Sequence, residues 1–402
     1  MKKRLLILGI LLRSFILTGC SSNLTGDNKS TLTTEEKIED FEQMYSEVEK
    51  GYPFLEVNKR LNGIDWLSKK EEFKEMVLET SSDKEFMYTL NKILRKLNKG
   101  HNGVISDKKV FDYYQKVYEP IGYFPILEDK DVIERYESMN EIKGIEKYED
   151  VFKDIDTIDV MKGNIAYISI PQMNSASGNI DNDMIKIEKF LKNKNNYKAL
   201  IIDIRGNTGG NDLYWMELIS TITNKNYSCG GYTLFRNDSK TIKDYTSRRS
   251  ENLHNIDELP DKILEKAPKE VPNMFTEFSN DNTYIKGKAK YPFNGNIYLL
   301  VDENVFSASE SFAVFCKEKN FATIIGTKTG GDGYSVDPVL FKLNNSNLIV
   351  RMSSAMSLTE SGICDEEEKV TPDLYIKNED YYSSKVPLSV YVEKIKKIEN
   401  IK

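Results

Sequence analysis

The apolar positions of this chain follow two periods. Between Thr33 and Leu97 they recur every three or four residues, as Ile38, Phe41, Tyr45 and Val48, then across 66–78, then Phe86, Leu90, Ile93, Leu94 and Leu97. That spacing lines one face of a helix, so residues 35–105 are expected to form a small helical domain. Thr33 and Glu36 make a capping box at its start, and Gly51-Tyr52-Pro53 stops the first helix. Beyond residue 158 the pattern changes to short unbroken apolar runs. The runs 163–171, 199–204, 296–301 and 321–326 read as buried strands. Helical patterns stand between them at 182–191 and directly after Ser307. Strand, helix, strand in this order favours an α/β fold with parallel pairs and covering helices.

The remaining stretches are less regular. Residues 106–158 are charged and aromatic and read as a connecting segment to a core at 159–380. Within that core, 211–295 is polar and turn-rich, with helical patches near 213–221 and 259–267. Strand patterns return at 339–343 and 348–353, an acidic loop follows at 359–369, and 381–402 is expected to be a C-terminal helix.

The first twenty residues differ from all of this. Lys2, Lys3 and Arg4 precede an apolar run too short to span a bilayer, and Leu17-Thr18-Gly19-Cys20 resembles a bacterial lipobox. Residues 1–20 therefore read as a lipoprotein signal peptide with Cys20 as the lipidated residue. The polar stretch 21–34 reads as a linker. The expected location is the extracytoplasmic face of the cell membrane, reached by a lipid anchor.

Charge and rare residues narrow the chemistry. A formal net charge of −7 over 402 residues gives no basic face for nucleic acid. Cys229, Cys316 and Cys364 are far apart, so no zinc-type pair exists and no more than one disulfide could form. Two histidines exclude a histidine-rich metal site. Neither G-x-x-x-x-G-K-[ST] nor G-x-G-x-x-G occurs. No cofactor is expected.

Three stretches carry candidate chemistry. Phe306-Ser307-Ala308-Ser309-Glu310 sits between a strand and a helix, where free N–H groups and the helix dipole favour a nucleophile and its oxyanion. The bland alternative is that Ser307 and Glu310 are only a capping box. Gly206-Asn207-Thr208-Gly209-Gly210 follows a buried strand and can present backbone N–H groups as an anion nest, braced by a pair between Asp203 and Arg205. His101 stands between Gly100 and Gly103 at a helix stop, where either glycine can make the left-handed turn. A surface histidine is the alternative there. His254 lies in a polar stretch and reads as a surface residue.

Taken in order, the Gly-His turn, GNIAYISIP, LIIDIRGNTGG, VFSASESF, GTKTGG and VTPDLYI resemble the serine peptidase family of the C-terminal processing proteases and the tricorn protease core. The resemblance spans about residues 35–380. It implies a crotonase-like ββα core, a sheet with covering helices, preceded by a helical cap. It implies Ser307 as nucleophile, with an oxyanion hole from the amide of Ala308 and that of Gly209 or Gly210. The processing-protease lysine is missing, since Asp332 stands twenty-five positions after Ser307. Residues 105–158 are also too few for the PDZ domain usual in that branch. The tricorn-like branch fits better, with His101 as base and Glu366, six residues before Pro372, as the third member. Glu360, Glu367 and Glu368 are alternatives for that member. The function implied is a membrane-tethered serine endopeptidase acting on peptides or unfolded segments through an acyl-enzyme. The alternative is an inactive, peptidase-like lipoprotein that binds a peptide or an apolar ligand.

Overall fold

The computed structural model describes residues 31–98, 101–118, 121–139, 153–334, 336–376 and 386–402. The signal peptide with Cys20, most of the linker, Gly100 and the start of the expected C-terminal helix lie outside these residues. The strands are β1 (Gly103–Val104), β2 (Asp156–Met161), β3 (Ile165–Ser169), β4 (Ala199–Asp203), β5 (Tyr227–Phe235), β6 (His254–Asn255), β7 (Glu277–Ile285), β8 (Asn296–Val301), β9 (Thr323–Gly326), β10 (Val339–Lys342), β11 (Ile349–Met352), β12 (Met356–Thr359) and β13 (Leu374–Tyr375).

Six of them form the central sheet in the order β13-β9-β8-β4-β3-β2. β3, β4, β8, β9 and β13 run parallel, and β2 is antiparallel to β3. All five residues of β4 are buried, as strands covered on both faces must be. Helices Ile180–Leu191, Asp212–Ile222 and Ala308–Glu318 cover one face, and helix Leu388–Ile398 lies on the other. The β–α–β units expected around 163–204 and 296–326 are thus present. Helix Ala308–Glu318 is buried from Ala308 through Cys316. Phe312 and Phe315 lie 6.1 and 5.4 Å from the ring of Trp215. Each such aromatic contributes about 1.5–3 kcal/mol on burial, so the helix that begins at the serine corner is firmly held.

The helical region over 34–95 forms as its spacing indicates, with helix Thr34–Gly51 opened by the Thr33–Glu36 capping box. Its core does not close on itself. Phe41, Val48, Leu90 and Ile93 share one apolar cluster with Leu234, Phe278, Leu340, Val350 and Leu358 from β5, β7, β10, β11 and β12. Strand β1, at the end of the helical region, pairs with β11.

One expectation is corrected, and two readings the sequence leaves open are resolved. The stretch 211–295 is not mainly turns: β5 and β7 are nine-residue strands, paired antiparallel from Tyr227–Ile285 to Phe235–Glu277. Polar Glu277, Ser279, Asn280 and Asn282 and the Gly230-Gly231 pair hide the alternation in the sequence. Within 106–158, helices Lys108–Tyr118 and Lys130–Glu137 and strand β2 appear. Finally, Cys229, Cys316 and Cys364 are all buried free thiols, so none of them forms a disulfide. Among the described residues no helix is long and apolar enough to cross a membrane, and no group of histidine, cysteine and carboxylate side chains is arranged to hold a metal ion.

Candidate active site

Neighbouring parallel strands end on the same side of the sheet, and in open α/β sheets ligands bind beyond those carboxyl ends. Four adjacent strands deliver their loops here. β3 leads to Met173, β4 to Gly206–Gly210, β8 to Phe306 and Ser307, and β9 to Thr329–Gly333. Backbone bridges join the loops in pairs, Met173 to Gly210 and Phe306 to Gly331.

Ser307 occupies the corner between β8 and its helix with φ 58° and ψ −127°. Positive φ is strained for any side-chain-bearing residue, and a strained strand-to-helix turn is a known way of presenting a nucleophile. The capping-box alternative fails. The Ser307 side chain makes no cap hydrogen bond, and Glu310 turns away, its Oε1 accepting from Thr329 Oγ1 at 2.5 Å and the Val370 amide at 3.1 Å. Ser309 does the structural work instead. Its Oγ donates to the Asn207 carbonyl at 2.6 Å and accepts from the Phe306 amide at 3.1 Å. The Oγ of Ser307 is left for other uses.

The glycine loop lies directly against this corner. A Cβ on Gly209 would stand 2.7 Å from the Phe306 carbonyl oxygen, 2.8 Å from Ser307 Cβ and 3.1 Å from the Ala308 amide nitrogen. Asp203 and Arg205 pair at 2.6 Å, as expected, and the Arg205 guanidinium also donates to the Val386 carbonyl. Asn207, fully buried, donates to the Ile170 carbonyl and accepts from the Gly209 amide at 2.9 Å. That last bond bears on the oxyanion hole. The Gly209 N–H is already engaged, whereas the bridge to Met173 uses the Gly209 carbonyl and the Asn211 amide and leaves the Gly210 N–H outside it. Of the two loop donors left open by the sequence, Gly210 is therefore the better suited. Ala308 supplies the first amide of the serine helix, where N–H groups have no partner within the helix.

His101 reaches this place from the helical region. Among the described residues that end helix Asp83–Arg95, Asn98 is left-handed, with φ 58°, and Gly103 is part of β1. Arg351 of β11 donates through Nε to the His101 carbonyl at 2.7 Å, and Asn102 accepts from the Ser353 amide. The imidazole packs on Phe306, the neighbour of Ser307, with ring centroids 5.6 Å apart. Its Nε2 lies 2.5 Å from Oδ2 of Asp332.

This contact corrects one expectation. The carboxylate set against the imidazole is that of Asp332, where the sequence points to Glu366. Glu366 lies in the short helix Asp365–Glu368, partly buried, and its neighbour Asp365 accepts the Gly333 amide at 2.7 Å. Of the alternatives, Glu360 pairs with Lys319 and Glu367 with Arg60, and Glu368 is exposed. Asp332 was legible as an oddity between two glycines. What it faces depends on a left-handed backbone (φ 68°) that its sequence neighbours do not reveal. His254 is half-exposed and stacks on Phe278, away from these loops.

Beneath the Asp332 loop lie two buried carboxyls. Burial pushes Glu310 well above the ordinary carboxylate range, with Asp365 nearby adding to it. Burial likewise pushes Asp365 up to about 6. A buried carboxyl pair of this kind keeps a proton.

The family model for peptidase family S41 matches residues 164–376, just over half of the chain. The chain belongs to peptidase family S41. It is accordingly a serine-type peptidase. Among solved structures, a candidate peptidase from Parabacteroides merdae ATCC 43184 is similar at 19% identity, covering 86% of this chain and 91% of that one, with a TM-score of 0.55. Mature CPAF complexed with lactacystin is similar at 14% identity, covering 91% of this chain and 98% of that one, with a TM-score of 0.56. At these identities the likeness shows a shared fold, here a mixed α/β one. No curated protein matches the chain.

Proposed function

We propose that this S41 peptidase is an endopeptidase that cleaves peptides or unfolded protein segments outside the cell membrane, tethered there through Cys20. Ser307 is the nucleophile and His101 the base. The observation that carries the reading is the released Ser307 side chain on a strained corner, with the Gly209–Gly210 loop pressed against it. In the reaction His101 takes the Ser307 proton as Oγ attacks the scissile carbonyl carbon. The carbonyl oxygen becomes an oxyanion held by the amides of Ala308 and Gly210. Collapse expels the amine, which takes the proton from the imidazole, and water then hydrolyses the acyl-enzyme. The parallel sheet under these loops is the part that corresponds to a crotonase-like core, and the helices over 34–95 act as the cap that supplies the base.

The test is a Ser307→Ala variant. It is expected to lose peptide hydrolysis and labelling by a fluorophosphonate while its melting temperature stays within a few degrees of wild type. Equal hydrolysis by the two proteins would refute the mechanism. Cys20→Ser in the full chain is expected to move the protein from the membrane fraction to the soluble extracellular fraction, and unchanged partitioning would refute the tether.

A further inference from the structure

Resting on the reading of Ser307 and His101 as nucleophile and base, we infer that Asp332 is the residue that positions the imidazole, and that it does so through Nε2, so that Nδ1 is the nitrogen left to act as base. The geometry has three parts. Asp332 Oδ2 is 2.5 Å from His101 Nε2, and the aspartate side chain is wholly buried while that of the histidine is 14% exposed. A buried carboxylate is an acceptor only, so the nitrogen facing it carries the hydrogen. In neutral imidazole the proton on one nitrogen leaves a lone pair on the other. The tautomer is thus fixed by the carboxylate.

Asp332 is in turn fixed to the serine corner. Its neighbour Gly331 bridges to Phe306 and accepts the Ser307 amide at 3.2 Å. Its other neighbour, Gly333, is held by Asp365. Nucleophile and orienting carboxylate therefore move as one piece, and the imidazole arrives from a separate part of the chain. On that side Arg351 grips the His101 carbonyl and the Tyr114 hydroxyl. Charged groups near the pair include Arg351, Asp365, whose carboxyl is raised partly by Asp332, and Asp337, which a charge on His101 would reach. None of these replaces the direct contact at Nε2.

The assignment is tested with Asp332→Asn and Asp332→Glu in the full chain, assayed on a fluorogenic peptide and by the rate of fluorophosphonate labelling. Asp332→Asn is expected to lower kcat by roughly 10²- to 10⁴-fold with KM changed little, because the imidazole loses its orientation and tautomer. Asp332→Glu keeps the charge and should recover part of the loss. The chain has two histidines, so ¹⁵N spectra of the Ser307→Ala protein, with His254→Gln for assignment, can read the tautomer directly. Nε2 is expected to be the protonated nitrogen, and Asp332→Asn should redistribute the proton. A labelled wild type with Asp332→Asn labelled at the same rate, or a proton found on Nδ1, overturns the assignment and leaves the peptidase reading intact. A wild type that takes no label, with Ser307→Ala as active as wild type, overturns both. Should Asp332→Asn unfold, the Asp332→Glu kinetics and the tautomer of the Ser307→Ala protein still decide.

Discussion

Gly209→Ala probes how closely the glycine loop and the Ser307 corner are built together. The backbone at Gly209 has φ +106°, a conformation L side chains rarely adopt, and the new methyl would meet Phe306 O at 2.7 Å, Ser307 Cβ at 2.8 Å and Ala308 N at 3.1 Å. The dihedral alone costs about 1–3 kcal/mol. Relieving contacts this short, against ordinary carbon contacts of roughly 3.5–4 Å, moves the corner or the loop by about half an ångström to one ångström. A displacement of that size at a reacting atom costs on the order of 10²-fold in rate. Gly163→Ala is the matched control. Its φ is +80°, yet nothing lies within 4 Å of the added methyl, so it carries dihedral strain without collision and sits far from the chemistry. Urea unfolding and steady-state kinetics should separate the two. Gly163→Ala is expected to lose about 1–2 kcal/mol of stability with kcat/KM unchanged. Gly209→Ala is expected to lose more stability and about 10²-fold in kcat/KM. If Gly209→Ala kept kcat/KM within threefold of wild type, the contact between loop and corner would have no catalytic consequence and the reasoning would fail.

Arg205→Ala removes the partner of buried Asp203 together with the hydrogen bond to Val386 and the stack on Tyr391. Leaving that carboxylate uncompensated should cost about 3–5 kcal/mol, and a loss under 1 kcal/mol by urea titration would contradict it. The Glu310–Asp365 pair sets a pH dependence. Both carboxyls are raised in the folded state, so the fold binds more protons than the unfolded chain. Their contribution to stability is full below the ordinary carboxylate values and is lost as pH rises, for Asp365 through about 6. Asp365→Asn should flatten the decline in melting temperature between pH 4 and pH 7 (roughly the window from unperturbed to raised values), and a profile parallel to wild type would refute the assignment.

Much of this protein was determined locally. Periodicity at Phe41–Tyr45–Val48 and the apolar runs at 199–204 and 296–301 each record whether a segment is covered on one side or both, and that is a property of the segment itself. The serine corner and the glycine loop were legible for the same reason, because a strained turn and a close backbone approach demand particular residues at particular places. The nine-residue strands β5 and β7 were not, since their partners rather than their own composition make them strands. Nor was the carboxylate that meets His101. Four glutamates near residue 366 carry the right charge, yet a carboxylate's role depends on which side chain it meets, and the meeting of Asp332 with His101 joins positions 231 residues apart through the pairing of β1 with β11 and of Phe306 with Gly331. Tertiary structure alone decides that, because only packing fixes the direction of a side chain relative to a distant one.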